Sequence, residues 1–369
     1  MSEYQYYEWQ TIDRTLSASQ QTEVDQLSSH MDIVSATQAV VTYSWGNFKH
    51  DPHKILLKYF DAFLYDSNFG SRRIVFRLPK KMIDLRALQE YTYDDWIDIE
   101  EHETDCLLYL SYNEDANEWI ESDNFLSRLL PLRDQIIQGD YRALYIVWLK
   151  AISYETDEFA DDIPEPPTPN GLRKLDSGLQ TLVRFFDVNP HLIAAAAGSG
   201  KEAGSTSEVD LETAISKLTP LEMENHLRQI VRGEPGALAA LKKNLAQLSQ
   251  VKAHKTQSPS HSVPELLTAA EKLKEQEQQK ARKDAARQRI QYLEKFSTQE
   301  ESAWSAIETL LQQKRGAAYQ QAANLLVDLR DLSIYQKQEG EFRERFHALL
   351  AQYSKSQAFR ERLKKMGLL

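Results

Sequence analysis

An α+β N-terminal domain, a mixed or antiparallel sheet with helices, followed by an all-α C-terminal region with one long helix is the fold class this sequence predicts. Three observations predict it. Before residue 160, period-two strand patterns alternate with helical stripes, and five of the six tryptophans lie there. Residues 161–171, DDIPEPPTPNG, place four prolines among eleven residues, a density that neither a helix nor an inner strand accommodates. Beyond them, nearly every apolar residue falls at helical spacing.

In order, the aromatic run YQYYEWQTI from Tyr4 to Ile12 reads as a strand, and the polar stretch 19–29 as a helix. AVVTYSW then gives a second strand that ends at Gly46. From Pro52 to about Tyr65, Ile55, Leu56, Tyr59, Phe60 and Phe63 predict a helix with one broad apolar face. RRIVFRL alternates as a strand, with Ile74, Phe76 and Leu78 on one face and Arg73, Val75 and Arg77 on the other. After a short helix over 85–91, WIDIE and DCLLYLSY form an expected antiparallel pair. Residues 125–154 turn helical; Pro131 is expected to start a new helix, and Tyr141, Leu144, Tyr145 and Trp148 to form a buried stripe.

The predicted division is 1–160 as the α+β domain with a helical appendage, 161–171 as a Pro-rich hinge, 172–248 as a small helical bundle, 249–261 as a linker, and 262–369 as the long helix plus helical tail. Thr219-Pro220-Leu221-Glu222 and Ser262-Val263-Pro264-Glu265 are capping boxes that open two of these helices. The second of them runs to about Phe296. Its ends are apolar, at Leu266, Leu267 and Leu273 and again at Ile290, Tyr292, Leu293 and Phe296, while Lys274 to Arg289 is polar all round apart from small alanines. Shorter helices then carry the stripes Trp304/Ile307/Leu311, Leu325/Leu326/Leu329, Phe342/Phe346/Leu349 and Phe359/Leu363.

Charge divides the chain in the same place. Residues 1–200 hold 33 acidic against 17 basic side chains, and the rest 22 against 27, within a net charge of −11. An acidic front half repels nucleic acid unless the basic tail binds it. One cysteine, Cys106, excludes an internal disulfide and fits a cytoplasmic location. The N-terminus lacks the pattern of a signal peptide, and no apolar run reaches membrane-spanning length, so no membrane partner is expected.

The stretches YYEWQTIDRTL, GNFKHDPHKILLKYFDAFLY, SRRIVFRLP, GDYRALYIVWLK and ANLLVDLRDL resemble those of a family of uncharacterised bacterial proteins. The resemblance covers most of the first domain and the last helices. It implies a bacterial cytoplasmic setting and carries over no catalytic residue.

Gly198-Ser-Gly-Lys-Glu lacks the earlier glycine and the following Ser/Thr of a phosphate loop, and reads as a linker. His50-x-x-His53, with Asp51 between and Asp61 beyond, lacks a third well-placed metal ligand and reads as a helix cap. Twelve carboxylates and no basic residue fall between Tyr91 and Ser127; a hydrolase would need several of Asp94, Asp95, Asp98, Glu100, Asp105, Glu114 and Asp115 to converge. Arg72, Arg73, Arg77, Lys80 and Lys81 form the basic cluster of the first domain, suited to an anion or a partner and favoured as intramolecular ion pairs. Lys280, Arg282, Lys283, Arg287 and Arg289 make the long helix basic but lack interleaved aromatics for base stacking, which favours a coiled-coil or solvated helix.

No cofactor motif is present. The sequence therefore favours a non-enzymatic interaction or adaptor protein that binds another protein, or itself, through its helical tail, with Leu266, Leu267 and Leu273 as a candidate docking surface. A nucleic-acid-associated accessory protein using the basic long helix is the first alternative, and a hydrolase built on residues 91–127 the second.

Overall fold

Strand β1 (Gln5–Gln10) carries aromatic side chains on both faces and hydrogen-bonds to strands on both edges, which makes it an inner strand. The computed structural model describes residues 4–113, 125–154, 163–199, 211–232, 236–248, 256–257, 261–354 and 356–369. Its main sheet adds β2 (Met31–Val34), β3 (Gln38–Tyr43), β4 (Ala62–Ser67), β5 (Ser71–Pro79), β6 (Ile97–Glu101) and β7 (Asp105–Asn113), in the order β2-β3-β1-β4-β5-β7-β6. Every neighbouring pair is antiparallel.

Strand alternation sorts the side chains to two faces, and helices cover both. Tyr6, Leu64, Ile74, Phe76 and Leu108 face a core shared with α4 (Phe125–Ile137), α5 (Arg142–Ile152), α6 (Ser177–Phe185) and α7 (Pro190–Ser199). Tyr7, Trp9, Phe63, Val75 and Tyr109 face a smaller core closed by α1 (Ala18–Asp25) and α2 (Pro52–Tyr59). Short helix α3 (Leu85–Gln89) joins β5 to β6. Helix α5 is buried at every position, which explains why RALYIVWLKAI is apolar all round. Its two cations are held locally: Arg142 pairs with Asp140, and Lys150 donates to the Asp187 carbonyl at 2.9 Å with the Asp187 carboxylate 4.0 Å away.

Several expectations differ from this structure. The helix expected over 52–65 stops at Tyr59, and Ala62 starts β4, a central strand apolar on both faces. Burial on both faces removes the alternation that would have marked it as a strand. Pro131 lies inside α4 rather than opening a new helix. The described part of the Pro-rich stretch is packed: the Tyr91 hydroxyl donates to the Pro167 carbonyl at 2.6 Å, and the buried Glu165 carboxylate accepts from Tyr145 at 2.6 Å, Thr168 at 2.8 Å and the His261 amide at 2.9 Å. Its strand β8 (Thr168–Pro169) pairs with β9 (Thr256–Gln257).

The compact unit accordingly runs from residue 1 to 274, and the second from 275 to 369. Leu179, Leu182, Phe185, Phe186 and Leu192 belong to the core of the first, so α6 and α7 complete the head instead of forming part of a separate bundle. A chain ended after residue 160 would leave the faces of α4 and α5 that contact α6 and α7 in water. Such a truncation is expected to be insoluble or molten by circular dichroism and dye binding, while a chain ended after residue 274 folds. A cooperatively melting 1–160 fragment would restore the hinge.

Within the first unit, α8 (Leu211–Ser216), α9 (Pro220–Val231) and α10 (Ala237–Leu248) enclose a small core of Ala214, Leu218 and Leu245. The predicted capping box of α9 forms, with the Glu222 amide on the Thr219 hydroxyl at 3.3 Å and the Thr219 amide on the Glu222 carboxylate at 2.8 Å. Helix α11 (Val263–Ser297) begins in this unit. The second unit packs Leu293 and Phe296 of α11 with α12 (Glu300–Gln312), α13 (Gly316–Gln336), α14 (Glu339–Gln352) and α15 (Gln357–Lys365) around Trp304, Leu326, Phe346 and Phe359. These helices carry the predicted stripes. No described helix is long and apolar enough to cross a membrane.

Candidate functional site

The basic strand is resolved into separate roles by strand alternation and by its partners. Arg72 is buried on the larger core side, beside Asp66 at 3.3 Å and donating to the Phe185 carbonyl at 2.9 Å. Arg77 is buried between Asp61 and Asp105, with its Nε on the Phe60 carbonyl at 3.1 Å. Lys80 pairs with Glu101 at 2.9 Å, and Lys81 is exposed. The cluster is therefore dispersed, and Arg72, Arg77 and Lys80 are engaged in internal ion pairs.

Arg73 is the exception. It lies on β5 between Tyr65 of β4 and Ser111 of β7, and its Nε donates to the Ser111 hydroxyl at 3.0 Å. Its two terminal nitrogens have no partner among the described residues. Together with Tyr7, Phe48, His50, His53 and Tyr65 it lines a cleft of about 250 Å³, in which no acidic side chain lines the wall among the described residues.

Local chemistry holds each wall in place. Asp51 caps α2, accepting the His53 amide at 2.9 Å and the Lys54 amide at 3.4 Å, while Pro52 opens the helix without an amide to satisfy. That confirms the capping role read for the His50/His53 segment and also turns both imidazoles towards one cleft. No group of three His, Cys, Asp or Glu that could hold a metal ion occurs among the described residues. The His53 ring stands edge-on to Tyr109 at 5.0 Å, and burial followed by the nearby Arg73 charge pulls its pKa below the usual histidine value. Neutral at pH 7, it adds no second charge beside Arg73.

The aromatic walls are fixed by a single amide. Gln5 accepts from the Tyr7 hydroxyl at 2.7 Å and the Tyr65 hydroxyl at 3.0 Å through its oxygen, and its nitrogen donates to the Gly46 carbonyl at 3.0 Å and Asn47 at 2.7 Å. Burial raises the pKa of both phenols, so they remain neutral at any physiological pH. With their hydroxyls engaged, what Tyr7 and Tyr65 offer a ligand is ring surface. Phe48 joins them, 5.5 Å from Tyr7 between ring centroids.

The other sequence candidates fall elsewhere. Asp94, Asp95, Asp98 and Glu100 are exposed along β6 and the turn before it, and Asp105 is drawn to Arg77; Glu114 and Asp115 lie outside the described residues. An acidic edge strand resists pairing with another sheet, which accounts for that placement without catalysis. Gly198 lies near the end of α7, where its carbonyl and that of Ala197 accept from Arg173 at 3.5 Å and 3.2 Å; Gly200, Lys201 and Glu202 lie outside the described residues. A phosphate loop needs the opposite, amide-bearing end of a helix. Leu266 is 1% exposed in the large core, with Leu267 and Leu273 packed partly against it, so these leucines dock on their own chain.

Sequence reasoning missed Tyr7, Phe48 and Tyr65 as cleft residues, because their convergence depends on the β1–β4 register. Helical spacing does place Met223, Leu227, Ile230 and Val231 on α9, but it does not show that the last three stay outside the bundle core. Leu227, Ile230 and Val231, at i, i+3 and i+4, are 63%, 38% and 84% exposed, with Leu221 at 68%. No known protein family, curated protein or solved structure matches the chain.

Proposed function

We propose that the protein is a non-enzymatic interaction or adaptor protein, and that its partner is another protein engaged through the helical part of the chain. The observation that carries this reading is the apolar stripe on α9, which leaves Leu227 and Val231 largely in water. The helix is well formed, with a complete capping box, and is anchored on one side by Met223 and by His226 near Asn244 at 3.2 Å. Its outward apolar side chains contribute nothing to that anchoring. Burial against a partner would stabilise each by about 1.5–3 kcal/mol.

The double substitution Leu227→Ser with Val231→Ser tests this reading. Solution mass over a range of concentration and the set of proteins co-purifying with the unmodified chain are compared with those of the variant. A fall in mass identifies a second copy as the partner, and loss of one co-purifying protein at unchanged mass identifies a different chain. If neither changes while the melting temperature holds, the stripe is not an interface.

One observation favours a second reading, a nucleic-acid-associated accessory protein. Lys280, Arg282, Lys283 and Arg287 of α11 are exposed and have no acidic partner among the described residues. Contacts from them would be to phosphate and independent of sequence. Retention on DNA or RNA that weakens steeply between low and moderate salt supports it; salt-insensitive or absent retention removes it.

A further inference from the structure

The α9 stripe does not account for the cleft on the opposite face of the sheet from α4–α7. Its Arg73 is a half-buried cation whose terminal N–H groups lack acceptors among the described residues, in a chain whose net charge is −11. These N–H groups are not among the buried unpartnered atoms, so they open to the cleft, and a planar guanidinium fork matches a carboxylate or phosphate with two parallel hydrogen bonds.

The walls add shape to charge. The cleft's volume of about 250 Å³ lies just below the ~300 Å³ lower end for drug-sized ligands, which limits an occupant to roughly one ring with its substituents. Tyr7, Phe48 and Tyr65 present ring surface, since the two phenol hydroxyls are tied to Gln5. Aromatic walls prefer a flat ring, through offset or edge-to-face contacts. His50 and His53 flank the same space and supply imidazole nitrogens, and the His53 Nε2 has no hydrogen-bond partner among the described residues.

We propose that this cleft binds a small organic anion bearing one flat ring, with its carboxylate or phosphate on the Arg73 guanidinium and its ring against Tyr7, Phe48 and Tyr65. The head would then carry a ligand site separate from the protein-binding stripe. Nothing in this assignment depends on what docks at α9.

Calorimetric titration of the full chain with benzoate, phenyl phosphate, inorganic phosphate and benzyl alcohol tests each part. At least one of the two ring anions is expected to saturate the protein, and the better of them identifies the head group as carboxylate or phosphate. Benzyl alcohol and inorganic phosphate are expected to bind at least about 10-fold more weakly, each lacking one half of the recognition. Arg73→Gln is expected to reduce binding of the ring anion about 10-fold or more at an unchanged melting temperature. In the unmodified chain, the bound anion should shift the NMR signals of the Tyr7 and Tyr65 rings, a readout that holds even where Arg73→Gln fails to fold. The proposal is overturned if no ring anion saturates the protein, if benzyl alcohol binds as well as benzoate, if inorganic phosphate binds as well as phenyl phosphate, if Arg73→Gln binds undiminished, or if the shifts fall elsewhere than on these rings.

Discussion

Replacing Asp61 with alanine is expected to lower the unfolding free energy of the first unit by about 3–5 kcal/mol, the range for removing one partner of a buried ion pair. The carboxylate is fully buried and holds three segments together. It accepts the Ile12 amide at 2.6 Å and the Asp13 amide at 3.0 Å, and it pairs with Arg77 of β5. Arg133 of α4 completes the knot, with its Nε on the Arg77 carbonyl at 2.8 Å and its Nη2 on Asp13 at 2.6 Å. Without Asp61, two backbone amides and part of a buried guanidinium charge lose their acceptor. Urea unfolding of Asp61→Ala measures the cost, and a loss below about 1 kcal/mol would mean that Asp105 suffices to neutralise Arg77.

The same carboxylate gives the first unit a direction of pH dependence. Burial alone would raise its pKa, but the Arg77 and Arg133 charges and the hydrogen bonds it accepts outweigh burial and hold it below the ordinary aspartate value. A depressed folded-state pKa means that the stabilisation is fully present above the unfolded-state value and is lost as pH falls through the folded one. In Asp61→Ala the acid limb of the stability curve should flatten accordingly.

How much of this was legible depended on whether a strand had two different faces. RRIVFRL could be read directly because Ile74, Phe76 and Leu78 alternate with charged neighbours, and β5 carries that division. AFLYDS could not, since β4 is apolar on both sides and continues the apolar run of the helix before it. The four prolines marked a segment that holds no helix over its described residues 163–171 and only the two-residue strand β8, yet proline content says nothing about packing. What binds that segment is the Glu165 carboxylate beneath Tyr145 and His261, a contact between residues nearly a hundred positions apart. The candidate site was half visible. Arg73 and the His50/His53 pair stood out by type, whereas their meeting with Tyr7, Phe48 and Tyr65 follows from pairing registers that no local pattern records.

Changing Leu266, Leu267 and Leu273 together to serine is expected to destabilise the first unit by about 5 kcal/mol or more and to leave the second unit unchanged. Leu266 alone is a fully buried leucine, and truncating such a residue costs about 2–5 kcal/mol before the added hydroxyl is counted. Leu267 and Leu273 pack against the same core, so their losses fall on the same side of the helix. Residues 274–288 of α11 are exposed, and the second unit has its own core around Trp304, Leu326 and Phe346. No buried side chain along that stretch carries the loss onward, and sites without shared partners add within about 0.5 kcal/mol. Hydrogen exchange read by mass spectrometry separates the two responses, with protection falling in α4, α5 and β5 and holding in α12 and α13. Equal loss of protection in both units would make the chain one cooperative structure; intact protection in the first unit would show that the leucines are dispensable to its core.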